Sequence, residues 1–150
     1  MFMDSTLEMA DNAAVAASTE ALIGSAVQIR SATGDNPTVD LSAGEPLYLV
    51  IELTTGIGTV TNYEFRVYTD ADSDVTTGGT QLWSSGVRGR AYFPTGKRFI
   101  VSLPEGAYEE YIGVSGAASG ATSTGGTGNI NAFITKDVSN WTSTDTRVNV

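Results

Sequence analysis

The sequence predicts an all-β fold, a single-domain antiparallel β-sandwich, on three observations. Seven short runs rich in β-branched and aromatic residues are separated by clusters of Gly, Thr, Ser and Asp. The clearest runs alternate in polarity, as a strand with one buried face does. No amphipathic helix of adequate length is available to cover such a face, so a second sheet must do so. At 150 residues and 41% hydrophobic composition, the chain suffices for one core and one domain.

Residues 7–17 are alanine-rich and offer only Leu7, Met9, Ala10 and Val15 to a core, so residues 1–20 are expected to form an arm or a short helix. The sandwich is expected over residues 21–138. Its first run spans 26–30. The next, Pro46-Leu47-Tyr48-Leu49-Val50-Ile51-Glu52-Leu53, places Leu47, Leu49, Ile51 and Leu53 on one face and Tyr48, Val50 and Glu52 on the other. Tyr63 to Thr69 repeats the pattern, with Tyr63, Phe65 and Val67 inward and Glu64, Arg66 and Tyr68 outward. Shorter runs follow at 81–84, 98–103, 109–115 and 129–136. Residues 139–150, mostly Ser, Thr and Asn with Trp141 and Val148, form a C-terminal extension.

The chain has no cysteine and no histidine, which excludes disulfides, zinc ribbons and both Ser-His-Asp and Cys-His catalysis within it. The remaining carboxylates, tyrosines and hydroxyls show no spacing that assembles a reactive pair, and no enzymatic activity or cofactor is expected. The start Met1-Phe2-Met3-Asp4 lacks the basic and apolar regions of a signal peptide, and no apolar run approaches a membrane span. A soluble, unexported chain with no membrane partner is the expectation. A net charge of -9 opposes direct nucleic-acid binding. The bases are uneven: Arg88, Arg90, Lys97 and Arg98 crowd one stretch, which suits either solvated strand ends or an acidic partner surface.

Asp70-Ala71-Asp72-Ser73-Asp74 has alternate carboxylates at metal-ligand spacing. The calcium-loop pattern fails, because Val75 stands where glycine is needed and Gln81 where the bidentate glutamate belongs. A turn in which the aspartates cap local backbone groups fits better. Glu109 and Glu110 are adjacent, so strand geometry sends them to opposite faces, which prevents a glycosidase pair. Gly125-Gly126-Thr127-Gly128 lacks the lysine and helix of a phosphate loop and is expected to be a turn. Trp83 and Trp141 are candidates for sugar platforms or for core and interface positions.

An ordered set of segments resembles the jelly-roll capsid cement, or decoration, proteins of tailed bacteriophages, of the Bordetella podophage type. Its carriers are Met3-Asp4-Ser5, Gly44-Glu45-Pro46-Leu47-Tyr48-Leu49-Val50, Tyr68-Thr69-Asp70 and Ser102-Leu103-Pro104-Glu105-Gly106. Glu110-Tyr111-Ile112-Gly113-Val114, a Gly/Thr-rich hairpin and Asn131-Ala132-Phe133-Ile134-Thr135-Lys136-Asp137 complete the series. The chain departs from that family at Glu110, where relatives tend to carry arginine, and in its longer C-terminal tail.

The resemblance implies a sandwich of jelly-roll type and a structural role on the outer surface of a virion, after synthesis in a bacterial cytoplasm. Its implied partners are a major capsid protein of HK97-like fold and further copies of itself, a dimer being favoured over a trimer. Such a protein clamps neighbouring capsomers, gaining avidity from several modest contacts at once. Candidate grips are an apolar arm of Met1, Phe2, Met3 and Leu7, the bases Arg88 and Arg90, and Trp141 with Val148 in the tail. Docking of the arm and tail onto the chain's own sandwich is the competing expectation. A carbohydrate- or receptor-binding module on a phage tail or cell surface is the alternative function.

Overall fold

The computed structural model describes residues 7–15, 19–29, 46–103, 108–120 and 126–138. The expectations for Met1, Phe2, Met3, Trp141 and Val148 lie outside these residues. Ten strands form two antiparallel sheets: β1 (Glu8–Ala14), β2 (Ala21–Leu22), β3 (Val27–Gln28), β4 (Leu47–Gly58), β5 (Asn62–Asp70), β6 (Thr80–Ser84), β7 (Arg88–Gly89), β8 (Arg98–Leu103), β9 (Tyr111–Ser119) and β10 (Thr127–Thr135). One sheet has the order β1-β10-β4-β8. The other runs β2-β9-β5-β6, with β3 also on β9 and β7 also on β5. Each of the seven runs read from the sequence overlaps a strand, and the all-β, two-sheet arrangement is consistent with the sandwich they predicted.

The alternation in β4 sets the core. Leu47, Leu49, Ile51 and Leu53 are buried, and register places Leu103, Val101 and Phe99 of β8 beside the first three of them. On the other flank Ile134, Ala132 and Ile130 of β10 lie beside Leu49, Ile51 and Leu53. Side chains directly opposite in antiparallel strands share a face, so these residues form one apolar layer. Tyr63, Phe65 and Val67 of β5, with Ile112 and Val114 of β9, supply the buried residues of the facing sheet. Two positions expected to point outward are nevertheless buried. Val50, paired with Phe133, lies outside the central cluster, and Glu64 joins a polar network described below.

The arm-or-helix expectation for residues 7–17 is corrected. Residues 8–14 form β1, which pairs with β10 and buries Met9 and Ala10. Alanine's helical preference is a weak prior, and pairing along the open edge of β10 meets the backbone's hydrogen-bonding needs instead. Asn12 marks an irregularity there, with a left-handed φ of 46°. It is held in that geometry by its backbone N–H donating to Asn131 Oδ1 at 2.7 Å and by Thr54 Oγ1 donating to its own Oδ1 at 2.7 Å. Leu7 packs partly buried on the same core.

Candidate functional site

In a two-sheet fold the outermost strands leave backbone groups unpaired, so sheet edges are natural contact surfaces. Strands β8 and β6/β7 are edges of the two sheets, and Trp83 on β6 meets Phe99 on β8 at 5.6 Å between ring centroids. The two edges therefore lie on one side of the sandwich. Between them runs a connection containing a single 3-10 turn, Arg90–Tyr92.

The approach of this connection to the core depends on Gly56. A Cβ there would come within 2.8 Å of the Thr95 backbone nitrogen and 3.0 Å of the Phe93 carbonyl oxygen. With glycine, Ile57 N–H donates to Phe93 O at 3.0 Å, Gly56 N–H to Thr95 Oγ1 at 2.9 Å, and Gly96 N–H to Leu53 O at 2.8 Å. Arg90 N–H donates to Thr61 O at 3.2 Å. Phe93 is fully buried against Phe65, at 5.5 Å, and Phe99, at 6.0 Å. Its neighbour Tyr92 consequently faces outward and is 44% exposed.

Tyr92 is flanked by cations. Lys97 Nζ lies 4.5 Å from its ring centroid and Arg88 Cζ 5.5 Å, within the range where the ring's quadrupole attracts a positive charge. Arg88 and Arg90 are exposed, as is Val87 beside them in the chain. Arg98 is different: Glu52 across the strand pair accepts from its Nε at 2.9 Å and its Nη2 at 2.7 Å. Among the described residues no carboxylate lies within ion-pair distance of Arg88, Arg90 or Lys97. Residues 75–104 hold these four bases and no acid, in a chain of net charge -9. The edge is therefore a cationic, aromatic platform on an acidic protein.

A second charged cluster is paired within the fold. On the outer face of β5, Arg66 bridges Glu20 at 2.8 Å and Glu64 at 2.7 Å. Ser84 donates to Glu64, and Ser115 donates to Glu20 at 2.8 Å. The Arg66 hydrogen bond, opposed by burial and aided by Ser84, holds the Glu64 carboxyl below its usual range.

The aspartate loop is a self-capped turn. Asp70 Oδ1 accepts from Asp72 N–H at 3.1 Å, and Asp72 Oδ1 from Asp74 N–H at 3.2 Å. Asp74 accepts from the hydroxyls of Thr76 and Thr77, each at 2.8 Å, which lower its pKa. Beyond them Val75 is fully buried against Gly113, where a side chain would collide with it. No cluster of three acidic residues suited to a metal is present among the described residues. Glu109 and Glu110 diverge, Glu109 accepting from Thr80 Oγ1 at 3.5 Å and Glu110 from Gln28 Nε2 at 2.6 Å.

Of the expected contact residues, Arg88 and Arg90 are both exposed at the start of this connection, and Leu7 lies against the chain's own core. Trp83 is half-buried with its ring tilted 56° on Phe99, which engages it as packing. Sequence reasoning did not single out Tyr92. The acid-free stretch around an Arg-Gly-Arg-Ala-Tyr series was the available signal.

A scan against protein-family models gives no match for this chain, and a search of curated proteins gives none either.

Proposed function

We propose that this chain is a structural virion protein, a cement or decoration protein that binds the outer surface of an HK97-fold phage shell and clamps neighbouring capsomers. The observation that carries this reading is the nesting of its strand pairs. β2 and β3 both pair with β9, and β6 and β7 both pair with β5, so each couple counts as one strand and the ten reduce to eight. In chain order the first then pairs with the eighth, the second with the seventh, the third with the sixth and the fourth with the fifth. One long hairpin rolled into two sheets has this connectivity, and it supports the jelly-roll architecture that the family resemblance implies.

The role asks for contact rather than chemistry, in keeping with a chain that has neither cysteine nor histidine. A homodimer seated on a symmetry axis touches several shell subunits, so weak contacts add as avidity. Heat release of packaged DNA tests the proposal. Particles carrying the protein are expected to hold their DNA to a higher temperature than particles stripped of it, and to recover when the purified chain is added back. Equal release temperatures would overturn the reading. A sugar-binding module would instead respond to oligosaccharide by a change in tryptophan fluorescence and leave the particles' heat stability unchanged.

A further inference from the structure

The geometry points to the Tyr92 platform, with Arg88 and Lys97 over its ring and exposed Arg90 in the same turn, as a docking site for a carboxylate-rich protein surface. That this surface belongs to a phage shell rests on the cement reading; the preference for acid does not.

Three features carry the inference. The first is charge. Three bases without a carboxylate partner among the described residues sit in an acid-free stretch of a chain of net charge -9. A chain this acidic repels an acidic partner at long range, so a cationic patch of this kind orients the approach. The second is preorganisation. The backbone beneath the platform is held by hydrogen bonds from Arg90, Gly96 and Ile57 and by buried Phe93, and two cations rest on one ring. Part of the ordering cost of binding is thereby met in the free protein. The third is composition. Exposed Tyr92 and Val87 beside arginine match the aromatic and Arg enrichment of protein contacts, in which an apolar centre is ringed by charge. Bases that only guard a sheet edge against unwanted pairing need no exposed aromatic between them.

Two measurements on the full chain test the site. In the first, isotope-labelled protein is titrated at low ionic strength with a decaglutamate peptide, with decalysine as control, and amide shifts are followed by NMR. Shifts confined to residues 86–98, reversed by added salt and lost in the double variant Arg90→Glu with Lys97→Glu, are expected. No shift in that segment, or equal shifts in the variant, would overturn the site.

In the second, wild type and the same variant are sedimented with shells stripped of the protein. The variant is expected to bind about tenfold more weakly or worse while its melting temperature stays within about 2 °C of wild type. Wild-type binding that the variant matches would overturn docking through this platform. If wild type itself fails to bind, the cement reading falls and the peptide titration alone decides the site. Self-association that the variant abolishes would make a second copy the occupant and overturn the assignment of a separate acidic partner.

Discussion

Two charged regions of this protein are built on opposite principles. On the outer face of β5, Arg66 is clasped by Glu20 and Glu64, and two serine hydroxyls complete the carboxylates' hydrogen bonding. Around Tyr92, Arg88 and Lys97 rest over the ring and Arg90 is exposed two residues away in the chain, with no carboxylate in ion-pair reach of the three among the described residues. The first region consumes its own charge and stabilises the sheet. The second leaves its charge for something else, because removing opposite charges from a whole segment gives the fold nothing. Both regions contain arginine, so residue type does not distinguish them; the placement of acids does.

The largest expected effect falls on the support beneath the platform. Phe93→Ala empties a fully buried aromatic site and should cost about 3–5 kcal/mol in urea unfolding, disordering Tyr92 as well. Arg66→Met should cost about 2–3 kcal/mol, since two partly buried carboxylates are left facing each other, yet the decaglutamate response of the platform should survive. A loss of that response would show that the two regions are not independent.

The carboxylate of Glu64 makes the first region pH-sensitive. Its folded pKa lies below the ordinary value of 4.5, so its contribution is complete above that value and is lost as the pH falls through the folded pKa. Unfolding free energy should therefore decline on acidification below about pH 5. In Glu64→Gln stability is expected to be lower at neutral pH and the acid-side slope shallower; an unchanged slope would remove Glu64 from the account. The smallest effect belongs to the platform's charges: Arg90→Glu and Lys97→Glu should each change stability by about 0.5 kcal/mol, Arg90 being exposed and Lys97 giving up only a half-exposed cation–π contact.

The core strands were legible because their side chains obey a period of two: Leu47, Leu49, Ile51 and Leu53 announce the buried face of β4 without any tertiary information. β1 was not, since its Ala-rich sequence favours a helix locally and only the open edge of β10 makes it a strand. The burial of Glu64 was equally hidden. Alternation places Arg66 on the same face, but the burial also depends on Ser84, twenty positions away, which alternation does not reveal. The aspartate turn was readable because Asx capping is local. The platform was half readable: the bases were visible as a cluster, but the pairing of Arg98 with Glu52 arises from register, and the outward turn of Tyr92 from the burial of Phe93.

The described segments on which the proposed cement reading rests and the platform lie at different ends of the strands. Pro46 to Val50 opens β4, Tyr68 to Asp70 closes β5 and Tyr111 to Val114 opens β9, whereas the platform lies by Leu53, Gly56 and Thr61, where β4 ends and β5 begins.

The most direct test of the central claim is the copy number of this chain in purified phage particles, measured by mass spectrometry against the major shell protein. The account predicts a ratio approaching one per shell subunit. A handful of copies per particle, or none, would contradict it.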